Sequence, residues 1–224
     1  MASVGRLAAC AFGVSGLVMA THIGLGRWHP STTNYPLQGV DLGERPPAIE
    51  WGSVRASGAD FAYLVATVGS RQRDPGFEAN WAALPDAGLR RGAVHLYSLC
   101  QDGGSQADAF NATVPRTADA LPPAVDIDLR DNCDPPDAGP AVTNGVRAFV
   151  ARVESHAGKP VILRLSRAVE RRYHLSTAVV RPLWLTGSFL RPGYADRPWR
   201  LWRANAQRRI DGVDGSLNWD VVAP

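Results

Sequence analysis

Two aspartates, Asp126 and Asp128, end the apolar run "LPPAVDIDL" at residues 121–129 and are the residues of this chain best placed to do chemistry. In an extended strand, residues i and i+2 point to one face, so both carboxylates project together from a backbone held by Ala124, Val125 and Ile127. Neighbouring acids can divide their labour: the charge of one raises the pKa of the other, leaving a protonated general acid beside an ionised carboxylate. Hydrolysis of a glycosidic bond requires that division. Two other readings of the spacing stand beside it. One is a structural, salt-bridged pair; the other is a metal-binding Asp-x-Asp like that of some nucleotide-sugar transferases.

The elements that must position these acids are short strands alternating with helices. Strands are expected at "GVDL" (39–42), "FAYLVATV" (61–68), "GAVHLYS" (92–98), "PAVDIDL" (123–129), "VILRLS" (161–166) and "LWLTG" (183–187). Helices are expected at 74–89, 104–114 and 138–158. The last carries Val142, Val146, Phe149, Val150 and Val153 at helical spacing, with Pro140 in its first turn and Gly158 at its C-cap. Repeated strand–helix–strand units imply parallel strands with right-handed crossovers, in a barrel or an open sheet. No Gly-x-Gly-x-x-Gly turn follows the first strand, which argues against a dinucleotide fold. After Trp184 the helical signal fades, and "PWRLWRA" and "GSLNWDVV" read as strands joined directly. A barrel with fewer helices in its last third fits this order. Functional residues of such barrels lie at the C-terminal ends of the strands, where Asp41, His95, Tyr97, Asp126 and Asp128 all fall.

With 224 residues, 45% of them hydrophobic, the chain can bury one sizeable core, and a single domain is expected. The net charge of +3 is modest, although arginines crowd the second half from Arg164 to Arg209. No helix-turn-helix, zinc-finger or RNA-recognition pattern accompanies them, so no nucleic-acid partner is expected. Residues 1–26 read as a signal peptide or membrane anchor: Arg6 precedes the apolar stretch from Leu7 to Val18, and Val18-Met19-Ala20 suits a cleavage position. A polar linker is expected at 27–36 and the folded domain at 37–224. Export to the periplasm or the extracellular space follows, with the membrane involved only through the N-terminus. In an oxidising compartment Cys100 and Cys133, each just beyond an expected strand, form a plausible disulfide. His22, His29, His156 and His174 lack metal-ligand spacing, so neither a metal nor another cofactor is expected.

In order and spacing, the mature chain resembles the glycoside hydrolase family 25 lysozymes, the Chalaropsis-type muramidases. The similarity lies in "GVDLGERPPAIEWGSVRASGADFAYLVATVG", "DPGFEANWAALPDAGLRRGAVHLYS", "QADAFNATV", "LPPAVDID" and "GVDGSLNWDVV". It implies a modified TIM-like (β/α)5(β)3 barrel. It also implies a monomeric enzyme that cleaves peptidoglycan between N-acetylmuramic acid and N-acetylglucosamine. By position it assigns Asp41 to the first-strand acid, Asp126 to the first acid of an Asp-x-Glu pair and Asp128 to the proton donor. His95, Tyr97, Asn218 and Trp219 become substrate-binding candidates, with Asn218 where the family has an Asp. Asp128 replaces a Glu and is one methylene shorter, so its oxygens retreat by roughly 1.5 Å. Val65, Val68, Val94, Leu96, Arg164, Ser188 and Arg203 stand where the resemblance leads one to expect polar or aromatic groups. A catalytically impaired barrel that binds peptidoglycan or another anionic glycan is the alternative. Capture of Asp128 by Arg130 or Arg164 would favour it.

Overall fold

A computed structural model describes residues 24–43, 49–130, 133 and 138–224. Strand β1 (Gln38–Asp41) leads through helix α1 (Trp51–Ala56) to β2 (Phe61–Val68) and a two-residue strand β3 (Gln72–Arg73). Then follow α2 (Phe77–Asp86), β4 (Arg90–Leu96), α3 (Gly103–Thr113), β5 (Ala124–Ile127), α4 (Ala138–Ala157) and β6 (Ile162–Leu165). The chain closes with α5 (Arg167–Tyr173), α6 (Leu175–Ala178), β7 (Leu183–Thr186), β8 (Leu201–Arg208) and β9 (Leu217–Val222). The sheet order is β1-β9-β8-β7-β6-β5-β4-β2-β3, and an additional β1–β2 pairing closes eight of these strands into a barrel, with β3 as an outer hairpin on β2. Among the barrel strands, the pairs from β1 through β8 run parallel; β9 is antiparallel to both β8 and β1, and the outer β3 is antiparallel to β2. This is the expected (β/α)5(β)3 barrel in one mixed α/β domain, since helices follow the first five barrel strands and none separates the last three.

Alternation along the strands splits the apolar residues between two layers. Outward side chains meet the helices; against them α4 sets Val142, Val146, Phe149, Val150 and Val153, all buried as its periodicity predicts. Inward side chains Phe61, Tyr63, Val94, Ala124, Ile162, Trp184 and Leu201 fill the barrel. Two glycines make room for the rings: a Cβ on Gly39 would come within 2.4 Å of the Phe61 ring, and one on Gly92 within 2.3 Å of Tyr63. The lower barrel is therefore a packed plug, and a cleft opens toward the C-terminal ends of the strands.

The stretch 27–36, expected as a linker, is instead part of the fold. Asn205 donates from Nδ2 to the carbonyls of Leu25 and Trp28, both at 2.8 Å, and the Gln38 amide donates to those of Pro30 and Tyr35. Trp28 meets Phe189, while Tyr35 lies against Trp199 and Trp202. Composition suggested a polar connector; side-chain amides on β8 and β1 capture its carbonyls, and aromatic neighbours pack against its rings. Most of the expected signal or anchor segment, including Cys10 and His22, lies outside the described residues. No helix among the described residues is long and apolar enough to cross a membrane.

Candidate active site

The open end of the barrel holds a cleft of about 600 Å³ lined by Asp41, Tyr97, Asp126, Asp128 and Asn218, together with Arg71, Arg130, Arg164 and Arg203. Five of the seven residues singled out in the sequence thus meet in one place. Asp41 ends β1 and Asp126 lies on β5, while Asp128 stands just past the end of that strand. The cleft wall formed by Val65, Val68 and Leu96 is apolar. A bulge in β2 between Val65 and Thr67 offsets the register there, which brings both valines to the cleft although they are three residues apart.

Asp41 lies at the centre of the floor. Its Oδ1 accepts from Arg164 Nη1 at 2.8 Å, Arg203 Nη2 at 2.6 Å and Asn218 Nδ2 at 3.1 Å, and its Oδ2 accepts from Arg203 Nε at 2.9 Å. Arg164 projects from β6 across the barrel to reach it and uses its second nitrogen, Nη2, to hold Asp126 Oδ2 at 2.6 Å. One guanidinium, 4.8 Å above the Trp184 ring, therefore links acids from two sides of the cleft. Burial by itself would raise the Asp41 pKa, but the charges of Arg203 and Arg164 overcome it and bring the carboxyl down to about 2. Two residues below Asn218 on the same face of β9, Asp220 accepts the Trp184 indole proton at 2.9 Å. Burial, and then the charge of Asp41, push its carboxyl well above the ordinary range. The floor thus sets an acid pushed down by arginine charge beside one pushed up by burial.

Asp128 is not held by Arg164. Its Oδ1 accepts from the backbone N–H groups of Leu129, at 2.7 Å, and Arg130, at 3.3 Å, so the carboxyl is fixed in the turn that leaves β5. Tyr97 lines the same cleft and is 4% exposed; burial, with the charge of Asp102 adding to it, raises its phenol to about 12. Asp102 itself caps α3 through the Ser105 N–H, and Asp131 and Asp134 lie outside the described residues.

His95 and Trp219 do not join the cleft. Leu96 faces it, so its neighbour His95 must face the helices. There the imidazole is fully buried, with Nδ1 2.7 Å from Thr67 Oγ1, Nε2 3.1 Å from Gln106 Oε1 and its ring stacked on Phe149. Burial lowers its pKa to about 4. Trp219 lies between the inward Asn218 and Asp220 and points outward, where it donates to Gln38 Oε1 at 2.6 Å. Both are packing residues. The residues that sequence reasoning did not name as site candidates are Arg164, Arg203 and Asp220; the two arginines entered it as departures from the family pattern, Arg164 also as a captor of Asp128, and Asp220 only as a neighbour of Asn218. The available signal was alternation: a charged Arg164 shares the inward face of β6 with Ile162.

The expected disulfide is present. Cys100 and Cys133 are bonded with 6.1 Å between their Cα atoms, which ties the loop after β4 to the loop after β5 beside Asp128. Among the described residues, the group with metal-ligand proximity is Glu170, His174 and Asp196, whose donor atoms lie within 4.8 Å of one another. None of the three lines the cleft, and both Glu170 oxygens already accept from Ser176.

Comparison with known proteins gives a consistent result. Residues 40–213 match the model of the glycosyl hydrolases family 25. The protein YegX of Escherichia coli O157:H7 is 30% identical over 198 residues, covering 84% of this chain and 70% of that protein. Lysozyme M1 of Streptomyces globisporus is 27% identical over 200 residues, covering 81% and 66%. A family 25 glycosyl hydrolase from Bacillus anthracis superposes with a TM-score of 0.80 at 27% identity, covering 89% of this chain and 93% of that one.

Proposed function

The chain belongs to the glycosyl hydrolases family 25, and from that premise we propose that it is a muramidase-type glycosidase acting on the glycan strands of peptidoglycan. The observation that carries this reading is the convergence of Asp41, Asp126 and Asp128 on one open cleft at the C-terminal ends of the strands. Asp128, held at the edge of that cleft by two backbone N–H groups, is the general acid that protonates the leaving oxygen. Asp126, ion-paired with Arg164, supplies the carboxylate that stabilises the oxocarbenium-like centre or orients the substrate's N-acetyl group. Asp41 makes its hydrogen bonds to Arg164, Arg203 and Asn218 and acts by positioning them. Asn218 and Tyr97 border the sugar. The chain works as a monomer outside the cytoplasm; the disulfide supports an oxidising compartment, and the apolar start of the sequence supports export.

The arginines favour a second reading. Two guanidinium groups neutralise Asp41 and one also holds Asp126, which suits a cleft that binds an anionic glycan without cutting it. Incubating the purified protein with cell-wall peptidoglycan separates the two. Release of soluble muropeptides between about pH 4 and pH 8, the range over which catalytic carboxyl pairs are poised, supports the glycosidase. Wall pelleting with no release across that range would leave only the binding protein.

A further inference from the structure

We propose that the pocket between the C-terminal end of α1 and the chain leaving β8 binds a phosphate-class oxyanion, held by Arg27, Arg208 and Arg209. The inference does not rest on the reading of the cleft, because this pocket of about 520 Å³ has no lining residue in common with it. Arg208 is the last residue of β8 and Arg209 follows it, while Arg27 comes from the other end of the sequence. Two hydrogen bonds draw these segments together: Gly26 accepts from the Arg209 N–H at 2.8 Å, and Arg208 donates from Nη1 to the carbonyl of Arg27. Ser53 of α1 and Ser57 just after it add polar groups to the wall. Among the described residues none of the three arginines is ion-paired. The acid that shares the wall, Asp211, is exposed and pairs with none of them.

Arg208 distinguishes this pocket from an ordinary patch of surface charge. It is 9% exposed, its Nε is buried without a hydrogen-bond partner, and among the described residues only its Nη1 has one. Its guanidinium lies 5.2 Å from the centroid of the Trp219 ring. A cation taken out of water is costly unless an acid compensates it. Arg164 shows the compensated case: its Nε is also unpartnered, but its terminal nitrogens hold Asp41 at 2.8 Å and Asp126 at 2.6 Å. Beside Arg208 stands Arg27 rather than an acid, and burial, followed by the charge of Arg27, lowers the Arg208 pKa. An anion in the pocket supplies the counter-charge that the described residues do not. The cleft floor indicates what a carboxylate requires, since Asp41 is met by two guanidinium groups. Three guanidinium groups match a phosphate, which carries up to about two negative charges and directs its oxygens several ways.

The test is calorimetric titration of the full chain with inorganic phosphate at fixed ionic strength, with glycerol 3-phosphate as a second probe. Phosphate is expected to bind the parent. Arg27→Gln combined with Arg209→Gln, both at exposed positions, should weaken binding about ten-fold or more while the circular dichroism spectrum is unchanged. Arg71→Gln combined with Arg130→Gln, in the cleft, should leave the phosphate affinity within about two-fold of the parent. Phosphate should also raise the Tm of the parent and not that of Arg208→Met. Comparable affinity for glycerol 3-phosphate assigns the pocket to the phosphoryl end of a larger ligand, and a much weaker one assigns it to the free ion. No binding of phosphate to the parent, equal binding by the parent and the Arg27→Gln/Arg209→Gln variant, or a loss confined to the cleft variant would overturn the proposal.

Discussion

Asp41 remains ionised in a place where burial alone would protonate it, and the reason is the pair of guanidinium groups within 3 Å of its oxygens. Breaking a buried ion pair on one side leaves an uncompensated charge. Arg164→Met is therefore expected to lower unfolding free energy by about 3–5 kcal/mol in urea denaturation. The double variant with Asp41→Asn should recover part of that loss, because it removes one of the two abandoned charges. Since Asp41 is depressed to about 2, its contribution is present above its ordinary value of 3.8 and is lost as pH falls through about 2. His95 sets a separate window. Its folded-state pKa of about 4 lies below the ordinary 6.5, so its contribution is complete above 6.5 and is lost as pH falls through about 4. The linkage amounts to about 3 kcal/mol. His95→Gln, which preserves a polar partner for Thr67 and Gln106, should show a smaller stability drop between those two pH values than the parent chain.

At the scale of the elements, the parity of a strand residue decides whether it does chemistry or packing. Trp219 and His95 were attractive candidates because of their side-chain types, yet each lies between cleft-facing or inward-facing neighbours and belongs to the outer layer. Trp219→Ala should accordingly cost about 3–5 kcal/mol of stability while leaving affinity for glycan nearly unchanged, measured by denaturation and by wall pelleting. Six of the barrel strands were legible as apolar runs, and α4 as a clear 3.6-residue period, because both patterns are written in many residues. Helix α1 has six residues and β3 two, too few to show a period. The arginine cage was hidden for another reason. The contact between Arg164 on β6 and Asp41 on β1 joins residues 123 positions apart across the barrel interior, and only closure of the sheet brings them together. The disulfide acts at the same scale. It closes the 33-residue separation between the loops after β4 and β5, so replacing both cysteines by serine should cost about 2–4 kcal/mol, read as a lowered melting temperature.

For the molecule as a whole, the two ends of the barrel have different tasks. Aromatic rings and two crowded glycines fill the lower end, which makes the floor rigid, and the polar residues gather above it. The segment from Gly24 onward binds the outside of the barrel at β8, through the Asn205 amide on the carbonyls of Leu25 and Trp28. The proposed general acid, Asp128, is one methylene shorter than Glu, and displacement of about 1 Å can cost on the order of 100-fold in rate. Slow cleavage that depends on this carboxyl is therefore expected. The decisive measurement is mass spectrometry of the fragments released from purified peptidoglycan by the parent protein and by Asp128→Asn. Muropeptides ending in reducing N-acetylmuramic acid, released by the parent and absent with the variant, are predicted. Equal release by both proteins, or none by either, would contradict the assignment of Asp128 as the acid of a working muramidase.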